Sequence, residues 1–356
     1  MMSCLLGLAL AGALLVLAST PAPALAGVAN AGIPGAPASD PLAGMPWGVY
    51  HGPLDGIDPA WRAARGRNRR LLAKIALRPS AHWFGVWDSD ATAADLARQY
   101  ISASARGRPD ALTQVAVFRL DPWEQPACSH LPTPAQQASY KTWIDNFAAG
   151  IGDSRVALIL QPDLPFASCA PGGSLLPLQL VAYAAQVFSS LPHTTVYIDG
   201  GARDWEPVSK AVWLLENAGV AYTRGFALNN THYDSTGAEL TFGAAVARRL
   251  AKAGIPNLHF VINTAENGAP FLRYKYRGNK LNPAICRNRR GHACVTLGIP
   301  PTSHTALGRW RLSSRQRRLA AQFADAYLWI GRPWLLGGSY PFDLDRALGL
   351  AASTPF

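Results

Sequence analysis

From Trp47 to the C-terminus the sequence switches repeatedly between two periods. Short apolar runs, too brief for helices, alternate with longer stretches whose apolar residues recur every three or four positions. The short runs are residues 75–77, 115–120, 156–160, 195–198, 222–228, 258–262 and 327–330, and each reads as a strand. The helical patterns are residues 91–103, 134–148, 175–188, 208–218, 240–253 and 314–326. A strand followed each time by a helix cannot return through a tight turn, so this βα series predicts a parallel sheet with right-handed crossovers. Periodicity does not choose between a closed barrel and an open sheet. No Pro/Gly-rich linker or short repeat interrupts residues 47–356, which favours one domain over two.

The segment Arg155-Val-Ala-Leu-Ile-Leu-Gln-Pro-Asp163 is the centre of the pattern. Its apolar stretch reads as a strand covered on both faces, and Gln161, Pro162 and Asp163 end it abruptly. Parallel-sheet enzymes place their chemistry at that end, where loops vary while the strands hold them. Asp163 is therefore a candidate catalytic carboxylate, with a turn or helix-cap carboxylate as the plain structural alternative.

The other expected strand ends carry comparable groups: His82 and Trp83, Asp121 to Glu124, Asp199 to Trp205, Asn229 to Tyr233, Asn263 to Asn267, and Arg332 to Trp334. Together they would line one rim with carboxylates, amides and indoles. That mixture suits a sugar polymer, because pyranose C–H faces pack on Trp or Tyr while amides and carboxylates meet the hydroxyls. Glycosidic hydrolysis needs a proton for the leaving oxygen and commonly a second carboxylate. Asp163 is the candidate donor and Glu124 its neighbour, with Asp199 and Glu266 as further carboxylates to which no spacing gives a role. The candidate substrate-binding residues are Trp83, Trp205, Asn229, Tyr233, Asn267, Arg332 and Trp334. No phosphate-binding glycine loop, metal motif or organic cofactor motif is present, so no cofactor is expected.

Residues 1–26 carry no charge and end in Ala24-Leu25-Ala26, the pattern of a cleavable signal peptide, which predicts a secreted chain, or one kept in the periplasm or cell envelope. Residues 27–46 read as a flexible Gly/Ala/Pro leader, and no later segment is long enough to span a membrane. Removal of the leader peptide takes Cys4 with it and leaves Cys128, Cys169, Cys286 and Cys294, which allow three pairings into two disulfides. Cys286 and Cys294 could clasp a basic loop, in which case Cys128 and Cys169 would tie two successive strand ends. The net charge of +11 comes from scattered arginines rather than one stripe, which argues against a nucleic-acid partner.

At the level of motifs the sequence resembles glycoside hydrolase family 6, the cellobiohydrolases and endo-β-1,4-glucanases. The segments that carry the resemblance are Ile75-Ala-Leu-Arg-Pro-Ser-Ala-His-Trp83, Leu160-Gln-Pro-Asp163, Tyr197-Ile-Asp-Gly-Gly-Ala-Arg-Asp-Trp205, Arg224-Gly-Phe-Ala-Leu-Asn229 with Tyr233, Asn263-Thr-Ala-Glu-Asn-Gly268 and Tyr327-Leu-Trp-Ile-Gly-Arg-Pro333, in the family's order. The resemblance implies an α/β fold, a distorted parallel β/α barrel of about seven strands, and inverting hydrolysis of β-glucan polysaccharide or oligosaccharide. It also implies Asp163 as general acid and Glu124 in place of the helper aspartate. Trp83 and Trp205 would contact sugar, Arg332 would stand for a sugar-binding lysine, and Cys128 and Cys169 would form the family's first disulfide. Phe118 falls where the family has a tyrosine.

The sequence departs from the family where it matters chemically. Gly337 stands in the place of the aspartate usually proposed as base, and Glu266 replaces an arginine. Asp343 and Asp345 follow closely, without an offset that marks either as a substitute. Three functions fit the sequence: a glucanase that lacks the family's usual base, a carbohydrate-binding protein that keeps a hydrolase cleft, and a structural envelope protein.

Overall fold

The computed structural model describes residues 39–123, 125–338 and 341–356. The expected signal peptide, most of the leader, and Glu124 lie outside the described residues. In chain order the elements are α1 (Ile57–Ala63), α2 (Gly66–Ala76), β1 (His82–Gly85), α3 (Ala93–Ala105), β2 (Thr113–Phe118), α4 (Gln125–Ser129), α5 (Pro134–Ile151), β3 (Val156–Leu160), α6 (Leu176–Ser189), β4 (Thr194–Asp199), α7 (Val208–Asn217), β5 (Gly225–Leu228), α8 (Thr236–Lys252), β6 (His259–Asn263), α9 (Ser314–Phe323), β7 (Ala324–Leu328) and α10 (Leu344–Ser353). Local signals fix several helix starts. Thr133 and Ser313 form capping boxes with Gln136 and Gln316 at α5 and α9, and Pro134 opens α5 where no backbone donor is needed.

All seven strands pair in parallel and in sequence order, so the sheet curls into a barrel-like half-shell with helices outside, an α/β fold of the expected kind. Strand alternation sorts the side chains into two layers. Val156, Leu158 and Leu160 face the helices, joined there by Val115, Val117, Val196, Ile198, Phe226 and Phe260. Ala116, Ala157, Ala227 and Ala326 point inward with Ile159, Tyr197 and Val261, small residues leaving room for a few large ones. Each buried Val, Leu, Ile or Phe contributes about 1.5–3 kcal/mol by leaving water, so the outer layer carries much of the hydrophobic stabilisation. Gly225 opens β5 because a Cβ there would lie 1.7 Å from the His259 carbonyl oxygen.

The ladder does not close. Among the described residues, β1 and β7 share no strand pairing; one backbone bond, Ala81 N–H to Trp329 O at 2.8 Å, crosses the seam. The Trp83 indole N–H adds a second crossing to Ile330 O at 2.8 Å. A separate apolar cluster backs this side: Leu72 and Ile75 of α2, Leu350 and Ala351 of α10, and Trp329, Trp334 and Leu335 after β7.

Five expectations shift. Residues 75–77 do not form the first strand: Ile75 and Ala76 are the last turn of α2, where Leu72, Ile75 and Ala76 share its buried face. The first strand is His82–Gly85, so His82 and Trp83 lie in it rather than beyond it. Tyr222 ends a 3-10 turn ahead of β5, and residues 324–326 belong to β7 instead of the preceding helix. Helix α10 has no counterpart in the sequence reading.

Candidate active site

The C-terminal strand ends open into a cleft of about 620 Å³, a size suited to a few sugar rings. Asp163 borders it. The residue sits in the left-handed region at φ 63°, ψ 21°, directly after β3. Gln161, also at positive φ, stitches β3 to its neighbour: its N–H donates to Val117 O at 2.7 Å and its Oε1 accepts from Leu120 N at 3.1 Å. Such conformations are unfavourable for ordinary side chains and persist where surroundings over-determine them. The Thr231 hydroxyl donates to Asp163 Oδ1 at 2.6 Å, which aims the carboxyl from the far side of the loop after β5.

Beneath Asp163 lies Asp199, at the end of β4 and fully buried. Its carboxyl accepts from Leu164 N at 3.1 Å, Gly201 N at 3.1 Å and Asn230 Nδ2 at 2.6 Å. Burial, followed by the negative charge of Asp163, nonetheless pushes its pKa up to about 8 against those three donors. Asp199 thus holds the backbone that follows Asp163 while carrying a proton itself near neutrality.

A chain of rings runs along one side of the cleft. Trp83 and Trp87 flank Phe118 at 5.7 and 6.2 Å, Phe118 meets Trp123 edge-on at 5.1 Å, and Phe166 meets Trp205 at 5.2 Å. Trp205 in turn stacks on His232 at 4.8 Å, and His232 Nδ1 bonds Asp204 at 2.6 Å. Burial alone would raise the Asp204 pKa, but the bond and charge of His232 and the Arg273 N–H hold it below the usual carboxylate range. Trp87, 57% exposed, presents an open indole that the sequence reading passed over because it lies outside every motif.

Basic groups border the cleft as well. Arg332 pairs with buried Asp55 at 3.1 Å, which also bonds His82 Nδ1 at 3.3 Å. Burial opposes the Asp55 charge, but His82 and Arg332 outweigh it and lower its pKa. Arg273, Lys280 and Pro283 of the segment 271–308 border the cleft, as does Arg346 of α10. That long irregular segment therefore forms a wall of the cleft, held near its middle by the Cys286–Cys294 disulfide. The second bridge, Cys128–Cys169, joins α4 to the turn after β3, so two disulfides are present in the expected arrangement.

Among the proposed sugar contacts, Trp83, Tyr233 and Arg332 share the cleft with Asp163, whereas Trp205 stands behind Phe166. Asn229, Asn267 and Trp334 are buried away from it. Asn229 Nδ2 reaches Asp234 O and Asn263 O, and Asn267 Nδ2 reaches Asp234 O and Thr236 Oγ1, so these amides brace the loops from below. Trp334 packs against Trp329 in the cluster behind the seam. Asn230 and Thr231, one and two residues past Asn229, are the ones that reach the cleft. Gly337 borders it with no side chain to offer, and Asp343 instead caps α10 by accepting from Arg346 N.

A carboxyl held at the carboxyl end of a parallel strand, in a cleft lined by indoles, is the arrangement of a β/α-class protein with its candidate site over the strand ends. The chain belongs to the glycosyl hydrolases family 6, which it matches over residues 54–333. It is 33% identical to Endoglucanase A of Cellulomonas fimi over 224 residues, 62% of this chain and 47% of that one. It is 31% identical to Endoglucanase 1 of Streptomyces halstedii over 251 residues, 68% of this chain and 75% of that one. The alignment thus spans about half of the Cellulomonas relative. Among solved structures it is similar to the endoglucanase Cel6 of Mycobacterium tuberculosis in complex with a methyl-cellobiosyl thio-cellobioside, at a TM-score of 0.68 and 27% identity, covering 88% of this chain and 98% of that one.

Proposed function

We propose that this chain is an exported glucanase that hydrolyses β-glucosidic bonds, with β-1,4-glucan as substrate and Asp163 as the group that protonates the leaving oxygen. The observation that carries this reading is the setting of Asp163: left-handed backbone after β3, a Thr231 hydroxyl on Oδ1, and a ring-lined cleft in front. Family membership and the glucanase names of its relatives support the substrate class. The family's inverting course fits, with water attacking the face opposite the departing sugar. Export is proposed from residues 1–26, and no described helix is long and apolar enough to cross a membrane.

The test is release of reducing ends from soluble and insoluble β-glucans by the purified chain and by Asp163→Asn. A fall of roughly 10²–10⁴-fold in kcat is expected for the variant on unactivated substrates. Equal rates would remove Asp163 from the role. Gly337 favours the second reading, a glycan-binding protein with a retained cleft, which predicts oligosaccharide binding by calorimetry with no product from the parent chain.

A further inference from the structure

We infer that Glu266 is the second working carboxylate of this cleft, taking the proton from the attacking water, and that Gly331 is kept small to make room for it. The inference rests on the hydrolase reading above. Among the described residues bordering the cleft, the acidic side chains are Asp163 and Glu266. Position 337 has no carboxylate, and among the described residues a Cβ built there would meet nothing within 4 Å. At Gly331 the situation is reversed. A Cβ there would lie 2.4 Å from Glu266 Oε1, so the carboxylate occupies the volume that a side chain at 331 would claim.

The backbone carrying Glu266 is fixed on both sides. Ala265 N donates to Asn263 Oδ1 at 3.1 Å, the same oxygen accepts from Ile330 and Gly331 N–H, and Gly268 N donates to Thr296 O at 3.1 Å. Preorganisation of this kind is what a proton acceptor needs. Among the described residues no hydrogen bond or ion pair engages the carboxylate itself, leaving its oxygens for a water. The charged and titratable groups facing it are Arg346 from α10, Arg273 from the long segment, and Tyr233 from the loop after β5. Burial raises the pKa of Glu266 to about 7, with Arg346 and Arg273 acting in the opposite sense. A base works best with a pKa near the working pH.

In the step itself the water oxygen bonds to the anomeric carbon and its proton passes to Glu266. The bond from that carbon to the bridging oxygen breaks, its electron pair leaves with the oxygen, and that oxygen takes the proton of Asp163. Both carboxyls then re-equilibrate with solvent, Glu266 losing a proton and Asp163 gaining one.

The experiment compares parent, Asp163→Asn, Glu266→Gln, Glu266→Ala and Gly331→Ala on cello-oligosaccharides and on a dinitrophenyl β-cellobioside, whose leaving group needs no acid. Glu266→Gln should lose about 10²–10⁴-fold in kcat on both substrates with KM little changed, whereas Asp163→Asn should recover on the aryl substrate. Azide should restore Glu266→Ala and yield the glycosyl azide of inverted configuration, a product that a merely structural role does not give. The parent's kcat should rise with pH through about 7 as Glu266 loses its proton. Gly331→Ala, which keeps the carboxylate but displaces it, should also lower kcat. A Glu266→Gln kcat within about threefold of the parent's, or no limb near neutrality with Gly331→Ala fully active, overturns the inference and leaves Asp163 untouched. A parent inactive on every substrate overturns both readings together.

Discussion

Position 163 shows how a single residue can be legible in sequence while its neighbours are not. An abrupt polar stop after a buried apolar run marks a strand end whatever the rest of the chain does, and the structure puts Asp163 at the cleft. Asn229 and Asn267 carry the same kind of signal, yet their amides face inward to carbonyls, because a side chain one place along a loop points elsewhere. Asp199 makes a test at this scale. With its pKa raised to about 8 it binds a proton in the folded chain that the unfolded chain has released above about 4, so its contribution to stability falls as pH rises from about 4 to 8. Asp199→Asn gives up a bond to Leu164 N, about 1 kcal/mol, but removes that dependence. The difference in thermal midpoint between variant and parent should therefore move in the variant's favour between pH 5 and pH 8, as followed by calorimetry.

Elements are legible in the sequence where their period runs long and obscure where it is short. Helices α5 and α6 stand out by length and spacing, but residues 75–77 look apolar enough for a strand, and only the preceding Leu72, one helical turn earlier, betrays α2. Strand β7 shows an irregularity no sequence pattern announces. Phe260 pairs with Ala324 and Val261 with Ala326, so Asp325 is the extra residue of a bulge. Its buried carboxylate accepts from Arg224 at 2.8 and 2.9 Å, from Tyr197 at 2.7 Å and contacts His259 at 3.0 Å, tying the starts of β5 and β6 to β7. Burial opposes its charge, but Arg224 and His259 outweigh it and lower the pKa. Asp325→Asn should cost about 3–5 kcal/mol in denaturant unfolding, since Arg224 is left without its partner. A depressed carboxylate stabilises above its unfolded pKa, so this deficit should shrink as pH falls below about 4.

At the level of the whole molecule, the βα order of the chain fixed neighbour relations, and the unclosed ladder is what periodicity left open. The helices before β1 and after β7 meet behind that gap, with Lys74 Nζ on Ala351 O at 3.0 Å, and Ser353 of α10 also holds Thr296 of the segment 271–308, Oγ to Oγ1, at 2.7 Å. Removing residues 344–356 should expose Leu72, Ile75 and Trp329, and the shortened chain should bind a hydrophobic dye and unfold at a markedly lower temperature. A fully hydrogen-bonded cylinder has its girth set by strand number and tilt. With two free ends spanned by one main-chain bond and one indole, the girth here is instead a matter of side-chain bulk. Replacing Trp83 or its packing partners should therefore widen or narrow the aperture over Asp163 while leaving every strand in register.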